Sequence, residues 1–124
     1  MAKIILSIKP KFAEKILAQK KSFEFRTKIP QKQVESILIY ETAPFKKIVA
    51  EVKIAKIISG SPSEIWRQTK NKAGISKKAF NKYFKGHTIA YAYHLGQITV
   101  YTPPLTLENF GLSYPPQSFV YIQA

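Results

Sequence analysis

The chain has 124 residues, 45% of them hydrophobic and 13% aromatic, which is enough for one packed core and too much for a disordered segment. It contains neither cysteine nor aspartate, which excludes a disulfide framework, a thiolate metal site and a Ser-His-Asp triad. The formal charge of +13 is uneven: residues 1–58 carry +8, residues 59–85 carry +6, and residues 86–124 have no Lys or Arg and carry −1.

The chain opens on a strand over Lys3–Ile8, buried through Ile4-Ile5-Leu6. That apolar run is too short for a signal peptide or a membrane span, so a cytoplasmic protein is expected. Pro10 suits the first position of a helix whose stripe is Phe12, Ala13, Ile16 and Leu17, ending near Gln19. A second strand runs over Lys21–Thr27, Pro30 interrupts, and Val34–Glu41 forms a third. Lys46–Ile58 is a long fourth strand, and its apolar phase slips near Lys56, where a bulge is expected.

Ser61-Pro62-Ser63-Glu64 is a capping-box helix start, and that helix ends before Gly74. Ser76 caps another helix over Lys77–Lys85, closed by Gly86. It has Ala79, Phe80, Tyr83 and Phe84 on one stripe and Lys78, Lys82 and Lys85 opposite. Thr88–Leu95 and Gln97–Tyr101 read as two strands with a tight connection at Gly96. Pro103-Pro104 breaks the chain, Thr106 caps a turn ending at Gly111, and Tyr114-Pro115-Pro116-Gln117 leads into a last strand over Ser118–Ile122. The expected fold is a single α+β domain over residues 1–124, with about six strands in a partly open barrel flanked by short helices.

The most informative stretch is Lys21-Ser22-Phe23-Glu24-Phe25-Arg26. Alternation anchors Phe23 and Phe25 on one face and holds Ser22, Glu24 and Arg26 on the other, with Lys21 at the strand's entrance. Lys9, Lys21 and Arg26 supply cations, and Glu24 can accept from an exocyclic amine such as that of cytosine. Tyr40, Tyr91, Tyr93 and Tyr114 offer faces for base stacking. The field of a +13 chain points to a polyanion, nucleic acid before membrane, with Lys78, Lys82 and Lys85 as candidate contacts to a phosphate backbone. No metal or cofactor is expected: the two histidines, His87 and His94, lack metal-ligand spacing, and the glycines form no phosphate-cradling loop.

Ser7-Ile8-Lys9-Pro10-Lys11-Phe12-Ala13, Lys21-x-x-Glu24-x-Arg26, Ile39-Tyr40 with Pro44, and Pro115-Pro116-Gln117-Ser118-Phe119 occur in this order. Together they resemble the ASCH-domain family of the PUA-like superfamily over nearly the whole chain. The family signature, Gly-x-Lys-x-x-Glu-x-Arg, is matched at its Lys, Glu and Arg, while Gln19 stands in place of the Gly. That replacement requires Gln19 to adopt the helix-ending conformation that Gly makes easy, at a cost of order 1 kcal/mol.

The resemblance implies a small β-barrel with a cleft between barrel and helices, lined by Lys9, Lys21, Glu24, Arg26, Tyr40, Gln117 and its neighbour Ser118. It also implies a role in RNA binding, RNA metabolism or transcription-associated regulation, with RNA or a modified nucleoside as partner. The alternative is a small hydrolase, an acetylated-nucleoside amidohydrolase or a ribonuclease, in which Lys21 and Glu24 would be catalytic. Similar amidohydrolases use a Lys and a Thr within this signature; the Lys corresponds to Lys21, but the Thr position is Glu24. Their partner carboxylate would fall to Glu51 or Glu64. A weaker reading is an adaptor docking through the Lys77–Lys85 helix.

Overall fold

The computed structural model describes residues 2–122. The elements are β1 (Ala2–Ile8), α1 (Pro10–Leu17), β2 (Phe23–Arg26), β3 (Val34–Glu41), β4 (Lys47–Gly60), α2 (Pro62–Thr69), α3 (Lys77–Tyr83), β5 (Ala90–Leu105) and β6 (Phe119–Ile122). Two 3-10 turns, Lys70–Lys72 and Leu107–Phe110, complete the chain. The strands form one six-stranded sheet in the order β2-β5-β4-β3-β1-β6. Only β1 and β3 run parallel.

This is a PUA-like, partly open barrel. β2 lies at one edge of the sheet order and β1 next to the other, yet the Arg26 guanidinium of β2 donates to the Ser7 carbonyl of β1 at 3.0 Å. Such a contact is possible only because the sheet curls on itself. Among the described residues β2 and β6 share no ladder, so a seam stays open between the edges.

Both faces of β1 are covered, which explains its unbroken apolar run. Ile4, Leu6 and Ile8 pack with Ala13 and Ile16 of α1, and with Ile37, Ile39, Val52 and Tyr93, inside the curl. Ile5 points the other way, into a cluster with Leu38, Tyr40, Ile48 and Leu107 under the second 3-10 turn. A third cluster packs Phe25 of β2 against Phe80 and Phe84 of α3 and Ile65 of α2, with Phe25 meeting Phe80 edge to face at 5.0 Å.

The capping signals work as read. The Ser61 hydroxyl accepts from the Glu64 amide while Glu64 accepts from the Ser61 amide, and Ser76 caps α3 through the Ala79 amide. Gln19 does adopt the left-handed conformation, at φ 60°. There the Lys20 amide reaches back to the Lys15 carbonyl and the Gln19 amide to Ile16, closing α1 as a glycine would.

Three expectations fail. Gly96 makes no hairpin: residues 90–105 are one strand that pairs with β4 on both sides of it, and β5 carries an extra residue beside Gly96 where Val52–Ile98 pairing passes to Ile54–Leu95. A Cβ on Gly96 would lie 3.3 Å from the Lys53 carbonyl, so the glycine serves a bulge with close backbone approach. The compensating bulge falls in β4 between Ile54 and Lys56, where the phase slip was read. Likewise, Pro103-Pro104 loops out of the ladder without ending the strand, which resumes pairing at Leu105. On α3 only Phe80 is buried, joined by Phe84 just past the helix end, while Ala79 and Tyr83 are exposed.

Candidate functional site

The seam of the barrel holds a cleft of about 220 Å³. One wall is the end of β1 and the start of α1, with Ser7, Lys9 and Phe12; the other is β2 with its approach, bringing Lys21, Glu24 and Arg26. Ile75 and Tyr83 close it from the helical layer. The three signature side chains therefore meet in one open hollow. An edge strand makes this possible, because its flank reaches the seam as well as its faces.

Arg26 organises the acid. Its Nε and Nη2 donate to the same carboxylate oxygen, Glu24 Oε2, at 3.1 and 2.9 Å, and Nη2 also donates to the Ser7 carbonyl. No described residue bonds the other oxygen, Glu24 Oε1. Glu24 is 8% exposed and sits opposite Tyr93 of β5, whose hydroxyl is pushed up to about 12 by burial.

Lys21 is 4% exposed. Its ammonium donates to the Ala73 carbonyl at 2.7 Å and lies 4.8 Å from the centre of the Phe25 ring and 5.3 Å from that of Phe12. Burial lowers its pKa from 10.5 to about 8; Glu24 opposes that shift, while Lys15 and Arg26 add to it. The ammonium thus sits in a poorly solvated place where burial outweighs the pull of Glu24.

The other sequence-predicted residues divide. Lys9 is exposed on the rim of the cleft, and Lys78, Lys82 and Lys85 are exposed on α3, beside Tyr83. Tyr40 does not line this cleft: it is buried in the cluster under the second 3-10 turn and reaches a second hollow, of about 390 Å³, with Lys46, Lys47 and Tyr114. The reason is parity, since Tyr40 shares the outward face of β3 with Leu38. Gln117 and Ser118 are exposed in the bend before β6 and also lie outside the first cleft's wall. Glu51 pairs with Lys3 at 3.0 Å and Glu64 is spent on its capping box, so neither serves as a partner carboxylate for Lys21.

The histidines play packing and turn roles, with His94 stacked on Phe23 at 4.8 Å and His87 following the end of α3. No cluster of metal-ligating side chains occurs among the described residues, and no described helix is long and apolar enough to cross a membrane.

Sequence reasoning missed three contributors. Tyr83 and Ile75 wall the cleft; Tyr83 shares a stripe with two buried phenylalanines, which hides its exposure of 44%. Lys46 stands in the left-handed region at φ 59°, a conformation uncommon for lysine that presents it to the second hollow. Neither feature leaves a periodic signal. The two hollows adjoin, because Ser7 of the first is paired in register with Tyr40 of the second, and the Ser7 hydroxyl donates to Pro116, next to Pro115 of the second.

The ASCH domain profile matches residues 6–99. An "ASCH domain-containing ribonuclease" of Zymomonas mobilis is 30% identical over 126 residues, covering 96% of this chain and 83% of that protein. ATP synthase subunit alpha of Ureaplasma parvum is 31% identical over 121 residues, 97% of this chain, but the chain spans only 15% of that protein. The crystal structure of ASCH from Zymomonas mobilis superposes with a TM-score of 0.88 at 28% identity, covering 98% of this chain and 87% of that one. With the signature residues gathered in the barrel seam and the profile spanning most of the sequence, this chain belongs to the ASCH domain family.

Proposed function

We propose that this protein binds single-stranded RNA, seating one nucleotide in the seam cleft and passing the strand into the adjoining hollow. The observation that carries this reading is the convergence of buried Lys21 with the Arg26–Glu24 pair in one open cleft of a chain with charge +13. Fixed cations in a poorly solvated site hold a phosphate, and Glu24 Oε1, which no described residue bonds, is an acceptor for a base's exocyclic amine. Tyr83 and Tyr114 supply stacking faces at the two hollows, and Lys9, Lys46 and Lys47 supply further cations. Lys78, Lys82 and Lys85 extend the basic track along α3.

The test is a binding titration on single-stranded RNA at several salt concentrations. Affinity falls steeply with salt if the reading holds, and an affinity indifferent to salt ends it. Glu24→Gln relaxes base preference more than it lowers overall affinity, and Lys82→Ala weakens all sequences evenly.

A second reading is phosphodiester cleavage, favoured by the ribonuclease relative that this chain covers over most of its length. In it a ribose 2′-hydroxyl attacks the adjacent phosphorus, losing its proton to the Glu24 carboxylate, while the 5′-oxygen leaves and takes up a proton, giving a 2′,3′-cyclic phosphate. Arg26 and the Lys21 ammonium would stabilise the charge developing on phosphorus, and Lys21 could protonate the leaving oxygen. Incubating labelled RNA with the protein and with Lys21→Ala and Lys46→Ala separates the hollows. Cleavage surviving both substitutions removes this reading and leaves binding alone.

A further inference from the structure

Three successive carbonyls of one loop, far from β2 in sequence, grip the signature strand. The Lys72 carbonyl accepts from the Ser22 amide at 2.9 Å, the Ala73 carbonyl from Lys21 Nζ at 2.7 Å, and the Gly74 carbonyl from Lys15 Nζ at 3.2 Å. The loop can approach so closely because Gly74 has no side chain. A Cβ there would stand 2.5 Å from Lys21 Cβ, 2.6 Å from Cγ and 2.8 Å from Cδ. Those are the rigid root and stem of a buried side chain, not a flexible tip. Gly74 also has φ 67°, so its backbone is open to glycine on two independent grounds.

We propose that Gly74 is a positioning residue of the cleft: the space left by its missing side chain is the slot through which Lys21 passes to the Ala73 carbonyl. The Lys72–Gly74 loop is thus the clamp that keeps the ammonium between the Phe12 and Phe25 rings. A side chain at position 74 displaces either the loop or Lys21, and both moves open the ammonium to water. The functional part of this inference rests on the RNA-binding reading; the positioning part does not.

The experiment uses the full chain with ¹³C,¹⁵N-labelled lysine, the Lys21 signal being identified as the one missing from Lys21→Ala. Gly74→Ala is compared with Gly86→Ala. Gly86 has the same left-handed backbone, at φ 83°, but nothing lies within 4 Å of a Cβ there, so it carries the strain without the contact. In Gly74→Ala the Lys21 titration midpoint is expected to move from about 8 back toward 10.5, and in Gly86→Ala to stay. Burial sets most of that shift, and Glu24, Lys15 and Arg26 are the charges facing the ammonium; Lys15, bonded to the Gly74 carbonyl, moves with the loop in Gly74→Ala and stays in Gly86→Ala.

Affinity for a labelled single-stranded RNA falls about tenfold in Gly74→Ala, the loss of one charge-assisted contact, and not further when combined with Lys21→Ala. Should Gly74→Ala not fold, Gly74→Asn carries the same Cβ on a residue that tolerates the left-handed region. An unmoved Lys21 midpoint in the folded variant overturns the proposal. A moved midpoint with unchanged RNA affinity upholds the positioning role and refutes the seating of RNA against Lys21 in the seam cleft.

Discussion

The two hollows are built from opposite materials. The seam cleft is a preorganised charged site: Lys21, Glu24 and Arg26 are fixed by hydrogen bonds to carbonyls of Ala73 and Ser7 and to one another, and two of the three are nearly inaccessible to water. The second hollow is a surface device, with Tyr114 78% exposed, Lys46 at the end of the short connection between β3 and β4, and Lys47 opening β4. Charges in the first are strong because water is excluded, and each also supports the fold. Groups in the second contribute by contact alone. Substitutions in the first should therefore disturb stability and binding together, and in the second binding only.

The largest expected effect is from Arg26→Ala. It strands the buried Glu24 carboxylate and removes the bond that ties β2 to β1 across the seam, so thermal unfolding should show a loss of about 3 kcal/mol. Comparable stability to the parent protein would break the comparison at its root.

Next is the pH dependence of Lys21. Its folded pKa of about 8 lies below the ordinary 10.5, so between these values the unfolded chain binds more protons and stability rises with pH. The contribution is on the order of 3 kcal/mol across that window and absent in Lys21→Met, as paired denaturant titrations at pH 7 and 10 would reveal. RNA affinity should move the other way, weakening as the ammonium is lost above pH 8.

In the second hollow, Tyr114→Ala should lower RNA affinity by about 1–3 kcal/mol of stacking while leaving the unfolding temperature unchanged. A clear fall in stability would show that this hollow is structural as well. The smallest effect is expected from Lys82→Ala, which should reduce the slope of log affinity against log salt by about 1 and alter neither base preference nor stability. Salt titrations on two RNA sequences measure both.

Much of this was legible in the sequence because it is local. The apolar runs of β1 and β3, the capping box at Ser61, the cap at Ser76, the bulge near Lys56 and the alternation along β2 depend on a few neighbouring residues and on the helical and strand periods. Gln19 was legible through the family signature, which has glycine at that position, and the structure places it at φ 60°. Tyr40 was expected in the seam cleft and instead lies at the second hollow, because parity says which face a side chain takes and not what covers that face.

Gly96 shows the opposite limit. A glycine between two apolar runs is consistent with a hairpin or a bulge, and only the partner strand β4, pairing on both sides of it, decides for the bulge. The sequence by itself determined the strands, the caps and the grouping of a lysine, a glutamate and an arginine on one short segment. The tertiary structure alone decided that this segment lies at a barrel edge, that the edge curls to meet Ser7, and that a loop about Gly74 closes over Lys21. Local propensities fix dihedrals within a few residues, whereas the seam depends on the accumulated twist of six strands, which no short stretch of sequence encodes.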